Sequence, residues 1–320
     1  MRGHIRANRN RTKKRLSHLE PLDSRKIAGW TSVCNEDDIL EQFIRHNIRF
    51  VDMLHVLLDW KTVDNSRLII QALISEGLPI QVHEASPVFK EDVRSAFVRD
   101  QLYWSYVFLD DDEFIFGMEP ENFKACIRGI EEPLQIWLPW RTYLPNPNWD
   151  PLSQNPITLN FARSSEANQF YKCIYVRAGR QTPHLVGPGA HNMLDCPEVR
   201  SISGALLAHL PVRSFRQLIL KSFSAQINLN YLMMYTVAKN YAEHWRSDFK
   251  MLVTEQSFSF ERLNEYAYFY GQTAHSSERL LISEFPLPLT QTRVYSPSTA
   301  PESVLMMRIF SVFSDVYRNI

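Results

Sequence analysis

Glycine is scarce in this chain, 10 residues of 320, and none of it falls into a GxGxxG or GxxxxGKS/T pattern. That excludes a phosphate site built from a Gly-rich loop opening a helix. Cysteine is scarcer still. Cys34, Cys126, Cys173 and Cys196 lie far apart with no CxxC spacing, which excludes a short-spaced zinc or redox site and predicts reduced core thiols. Net charge is missing too, with 35 Lys and Arg against 35 Asp and Glu. No run approaches the ~20 consecutive apolar residues of a bilayer crossing, and the N-terminus carries no apolar signal core, so the expectation is a cytoplasmic protein. With 45% apolar residues the chain can bury a core, which excludes a disordered one.

The charge balance is uneven along the chain. Residues 1–26 hold nine Arg and Lys against Glu20 and Asp23, an excess of 9 − 2 = +7, and the remainder is acidic by the same amount. Such an arm suits an anionic membrane surface. It lacks interleaved aromatics and any recognition-helix pattern, so no specific nucleic-acid role is expected.

From Ile27 the pattern alternates. Ile27 to Val33 reads as a buried strand, and a helix follows with Asn35 or Asp37 as its cap and Ile39, Leu40, Phe43, Ile44 and Ile48 as its inner stripe. Val51 to Leu58 is a second strand. A helix over Ser66 to Glu76 buries Leu68, Ile69, Ala72 and Leu73 and stops at Gly77. A short strand at Pro79 to Val82, a helix over Lys90 to Leu102 and a strand at Tyr106 to Leu109 complete a βαβαβαβ order. That order predicts an α/β fold with a mainly parallel sheet, helices on both faces, and a ligand beyond the carboxyl ends of the strands. Phe215 to Val253 and Val304 to Val316 read as helices, and the proline-rich stretch from Phe285 to Pro301 as an irregular connection.

Polar residues fall at those strand ends: Asn35 and Glu36, Asp59 and Asp64, and the run Asp110-Asp111-Asp112-Glu113. Adjacent carboxylates repel one another, and an oxygen-preferring divalent cation such as Mn²⁺ or Mg²⁺ offsets that repulsion; the alternative is a solvated acidic turn. If the run is extended, Asp110 and Asp112 share one side.

Three of these segments resemble a known family. Ser32 to Leu40, Leu57 to Ser66 and Phe108 to Phe114 are similar to the NExxxL, DNxSxDxT and Asp-x-Asp blocks of glycosyltransferase family 2, in the FLDxDEF form of the subgroup related to family 92. Leu138 to Tyr143, Tyr171 to Ile174, Gly189 to Asn192, and His209 to Ser214 with Lys221 resemble later elements of that subgroup. The likeness spans about residues 27–225 and departs at Trp60-Lys61, where the family carries Asn-Gly.

The resemblance implies a GT-A type sheet and an inverting, metal-dependent transfer from a UDP-linked sugar to a glycan or lipid-linked acceptor. It places Asn35, Glu36 and Asp59 at the nucleotide, Asp110 at the ribose and metal, and Asp112 and His191 at the metal. Arg213 and Lys221 would reach the diphosphate, with pairing inside the scaffold as the alternative for Arg213. No block identifies the base that takes the acceptor proton; Asp195 is the choice and Glu166 its rival. The expected domains are a basic arm over 1–26, the catalytic domain over 27–225 and a helical extension over 226–320, with a second subunit left open. A nucleotidyltransferase and a non-catalytic scaffold are the competing readings.

Overall fold

The computed structural model describes residues 24–84, 90–100, 103–144, 161–163, 170–178, 185–194, 196, 198–235, 268, 282–284, 294–301, 304–309 and 311. The first half alternates as its periodicity predicts: β1 (Ile27–Val33), α1 (Leu40–Asn47), β2 (Met53–Leu58), α2 (Ser66–Ser75), β3 (Ile80–Glu84), α3 (Lys90–Asp100) and β4 (Ser105–Phe108). After it come β5 (Glu113–Phe116), α4 (Pro120–Arg128), β6 (Leu134–Leu144), β7 (Phe161–Arg163) and β8 (Tyr171–Val176). Four short strands follow, β9 (Leu185–Val186), β10 (Met193–Leu194), β11 (Val199–Arg200) and β12 (Leu206–His209), then α5 (Phe215–Tyr235) and β13 (Ile282–Glu284).

Strands β3, β2, β1 and β4 are parallel neighbours, so their carboxyl ends share one edge. Beyond β4 the sheet turns mixed: β8 runs antiparallel to both β4 and β6, and β6 continues into β7 and β13. Side chains alternate between two buried faces. Ile27, Val33, Val56 and Val107 meet Phe43 and Ile44 of α1, Ile69 and Leu73 of α2, and Phe123 and Ile127 of α4. On the opposite face Ala28, Trp30, Tyr106 and Phe108 meet Phe97 and Val98 of α3. Helices therefore cover both faces, as expected for parallel strands.

Several local expectations differ. Asn35 and Asp37 do not cap α1; it begins after Ile39 with no side-chain cap, because Asn35 takes φ 60° and its side chain serves the neighbouring loop. In α2 the inner face is Ile69, Ile70 and Leu73, and Leu68 is 61% exposed, since the helix is turned by about one residue relative to the predicted stripe. Of the four thiols Cys173 and Cys196 are buried and Cys126 is exposed. The boundary expected at residue 225 falls inside α5.

Arg25, at the end of the basic arm, belongs to the fold: its guanidinium lies over the Trp104 ring at 4.3 Å and donates to the Arg128 carbonyl. Residues 1–23 of the arm, and helix positions 236–253, lie outside the described residues. Leu305 and Ile309 of the C-terminal helix pack on Leu220 of α5, while Val294 and Tyr295 donate their N–H groups to Glu41 of α1 at 2.9 and 2.7 Å. Among the described residues no helix is long and apolar enough to cross a membrane.

The turn after β5 matters for the site. Gly117 takes φ 83°, and a Cβ there would meet the Gly204 carbonyl oxygen at 2.1 Å, so only glycine lets this turn approach the one before β12. The approach allows β5 and β12 to pair antiparallel with His209 directly across from Glu113.

Candidate functional site

Each of β1, β2 and β4 ends in polar residues at the shared edge. After β1, Asn35 donates to the Lys61 carbonyl at 3.1 Å and accepts the Val63 N–H at 2.8 Å, bracketing the loop that follows β2. Asp59 opens that loop and accepts both the backbone N–H and the Nζ of Lys61, at 2.9 and 2.5 Å. Lys61, where the resembling family has glycine, is 1% exposed. Asp64 serves the scaffold, accepting the N–H groups of Asp37 and Ser66 at 2.9 Å each.

The acidic run is not extended. The Glu113 N–H returns to the Asp110 carbonyl at 3.1 Å, so the segment is a turn joining β4 to β5, and alternation along a strand does not govern where its carboxylates point. Their environments differ sharply. Asp110 is 42% exposed and paired with Lys172, with Arg94 at 3.5 Å. Lys172, the second residue of β8, also donates to the Gly189 carbonyl at 2.8 Å, and lies 3.8 Å from Glu113. Burial pushes the Glu113 carboxyl well above the usual range, with Lys172 opposing.

Asp112 is buried. Its Oδ2 accepts from Lys221 Nζ at 2.7 Å with Arg213 Nη1 at 3.8 Å, and its Oδ1 lies 3.7 Å from His209 Nε2. Burial alone would raise this carboxyl, but Lys221, His209 and Arg213 outweigh it and hold it below its ordinary value. Burial also lowers His209 to about 4, so its imidazole is neutral and can offer a lone pair. Trp140 stacks on that ring, centroids 4.1 Å apart and planes at 26°, and fixes its orientation.

Arg213 is enclosed. It forks onto Asp38 with bonds of 2.9 and 3.1 Å, pairs with Glu36 and donates to the Leu210 carbonyl at 2.9 Å. Of its two weighed roles, this geometry gives it the scaffold one. Burial raises Glu36 to about 7 against the pull of Arg213. Replacing Arg213 by methionine is expected to cost about 3–5 kcal/mol, the range for leaving buried charges uncompensated. Glu36, without that guanidinium, would then hold its proton in the folded state at pH values where the unfolded chain has lost it. The folded state binding the extra proton, stability of Arg213→Met should fall further as pH rises from 5 to 8. Denaturant midpoints across that range check it, and a fall no steeper than that of the wild-type protein would refute it.

The metal donors named from the sequence, Asp110, Asp112 and His191, are not gathered around one point. His191 lies on the Asp110 side, its Nδ1 bonded to the Tyr171 carbonyl at 2.6 Å, and burial and then Lys172 lower its pKa. Among the described residues no three His, Cys, Asp or Glu converge as a complete ligand set. A pair does fit. Asp112 Oδ1 is buried with no hydrogen-bond partner, and it faces neutral His209 across 3.7 Å. One carboxylate oxygen and one imidazole nitrogen suit Mn²⁺, with oxygens of a bound diphosphate and water completing the shell. Asp195 and Glu166 lie outside the described residues.

Sequence reasoning assigned no role to His209, Lys172, Arg94 or Trp140. The first two and Trp140 stand in the blocks quoted above, and what was missing was the β5–β12 pairing that sets His209 opposite the acidic turn.

No protein-family model matches the chain, and no curated protein sequence matches it. Among solved structures it is similar to S. aureus TarS 1-349 in complex with UDP-GlcNAc, at 12% identity over 75% of each chain with a TM-score of 0.39. It is also similar to glucosyl-3-phosphoglycerate synthase from Mycobacterium tuberculosis in complex with Mn²⁺, UDP and glucosyl-3-phosphoglycerate, at 17% identity over 37% of this chain and 45% of that one, TM-score 0.29. HddC from Yersinia pseudotuberculosis matches at 9% identity over 58% of this chain and 95% of its own, TM-score 0.33. At these scores the likeness carries no argument about chemistry, which rests on the residues.

Proposed function

We propose that the chain is a GT-A type glycosyltransferase that moves a sugar from a nucleoside diphosphate, UDP in the first instance, to a hydroxyl of a glycan or lipid-linked acceptor, with inversion. The observation that carries this reading is the Asp112–His209 pair, an unpartnered buried carboxylate oxygen facing a neutral imidazole. It stands at the carboxyl edge of a parallel sheet, where such folds bind ligands.

Asp59 would accept the base N–H, a charge-assisted bond of about 1.5–3 kcal/mol. Asn35 and Glu36 shape the loops on either side of the nucleotide, and Asp110, the exposed member of the acidic turn, would face the ribose. Asp112 and His209 would hold a divalent cation, which when bound neutralises the leaving diphosphate in a chain with no Gly-rich phosphate loop. The acceptor oxygen bonds to the anomeric carbon as the bond from that carbon to the phosphate oxygen breaks; the electron pair leaves with the diphosphate and the hydroxyl proton goes to the base. Asp195 is proposed as that base, with Glu166 as its rival.

The test is turnover of donors. In Mn²⁺ the protein should release UDP slowly from at least one UDP-sugar by hydrolysis, and faster once the right acceptor is added. Release of pyrophosphate from a nucleoside triphosphate, with every UDP-sugar left intact, would favour the nucleotidyltransferase reading instead.

A further inference from the structure

Residues 294–301 return to the first half of the chain and lie against the loops that carry the site. Glu41 takes the N–H groups of Val294 and Tyr295, and the Asn65 amide donates to the Ser296 carbonyl at 3.3 Å. Ser298 is buried. Its N–H donates at 2.6 Å to Asp37 Oδ2, which also accepts the Asn65 N–H at 3.1 Å, and its carbonyl accepts from Arg216 Nη1.

Asp37 and Arg216 are both buried and opposite in charge, yet they do not close on each other. Arg216 Nη2 stands 3.6 Å from Asp37 Oδ2 and makes no hydrogen bond among the described residues. The Ser298 peptide spans that gap, giving its N–H to the anion and its carbonyl to the cation. If the peptide left, the two charges would draw together, because buried charges left uncompensated are costly.

Three elements of the site meet at this point. Asp37 lies between Glu36 and Asp38, which Arg213 grips, and Arg213 stands 3.8 Å from Asp112. Arg216 follows Arg213 by three residues, in the first turn of α5. Asn65 ends the loop that Asp59 opens, and Val63 of that loop packs with Ala300 against Leu220 of α5 and Leu305.

Resting on the nucleotide reading above, we infer that Ser298 is a positioning residue for the nucleotide site: its peptide, wedged between Asp37 and Arg216, sets the spacing of the loops after β1 and β2 and of α5. It touches no ligand itself. Without the wedge, Asp37 and Arg216 would move together, carrying Glu36, Asp38 and Arg213 with them and displacing Asp59 and Asp112. The coupling is reciprocal, so a bound nucleotide must hold Ser298 more firmly in place.

Hydrogen exchange read at single residues tests this in the wild-type protein. UDP with Mn²⁺ should slow the Ser298 amide by about tenfold, within the range that coupling networks transmit. Arg216→Met, which removes the donor to the Ser298 carbonyl, should speed that amide and weaken UDP in Mn²⁺ by about tenfold at a temperature where the variant is fully folded. Arg216→Lys can still donate there and should restore most of the affinity. A tie that is only structural would lower the melting temperature and leave UDP affinity unchanged, and that result overturns the inference. So does wild-type protein that binds UDP with no slowing at Ser298, a measurement that decides the matter even where Arg216→Met fails to fold. Wild-type protein that binds no UDP in Mn²⁺ would overturn the nucleotide reading and the inference with it.

Discussion

Asp112→Asn is expected to lose divalent-ion-dependent nucleotide binding and to slow sugar transfer by at least about 10²–10³-fold, the range for removing one stabiliser of developing charge. The amide can still accept a hydrogen bond from Lys221, but it carries no charge for a cation to bind. At 1% exposure Asp112 also bears on stability. Arg213 keeps Asp38 and Glu36, and Lys221 can turn to solvent, so the cost should stay near 1–3 kcal/mol, below that of Arg213→Met. Melting temperature, UDP affinity in Mn²⁺ and transfer rate on one preparation separate the effects. Nucleotide binding equal to wild type would remove Asp112 from the site.

Asp195→Asn should reduce transfer by about 10²–10⁴-fold and leave UDP affinity unchanged, because a general base meets the acceptor hydroxyl and not the nucleotide. Slow donor hydrolysis should survive it. Asp195 follows β10, whose hairpin with β9 is closed by the turn that carries Gly189 and His191. Lys172 donates to the Gly189 carbonyl and pairs with Asp110, so this hairpin is tied to the acidic turn. Normal turnover with reduced stability would assign Asp195 to the turn before Pro197 and move the search to Glu166.

The alternating first half was legible because each strand and helix repeats at its own period, and Ile39, Leu40, Phe43 and Ile44 fall where that period puts them. The acidic turn was legible as a strand end, and its partners were not. Lys172 and Lys221 reach Asp110 and Asp112 across 62 and 109 residues, contacts that only the sheet order creates. His191 and His209 looked alike in sequence. What separates them is the pairing of β12 with β5, which depends on the close approach of Gly117 and Gly204, a feature with no periodic signal. Asn35 looked like a helix cap because asparagine favours that position, but here its left-handed backbone turns the amide toward the Lys61 loop.

The central claim is that this carboxylate edge binds a nucleoside diphosphate through a metal held by Asp112 and His209. Calorimetric titration of UDP into the wild-type protein, once in Mn²⁺ and once in EDTA, tests it most directly. A saturable site in Mn²⁺ that vanishes in EDTA is the predicted result; equal affinity in both, or no binding in either, would contradict it.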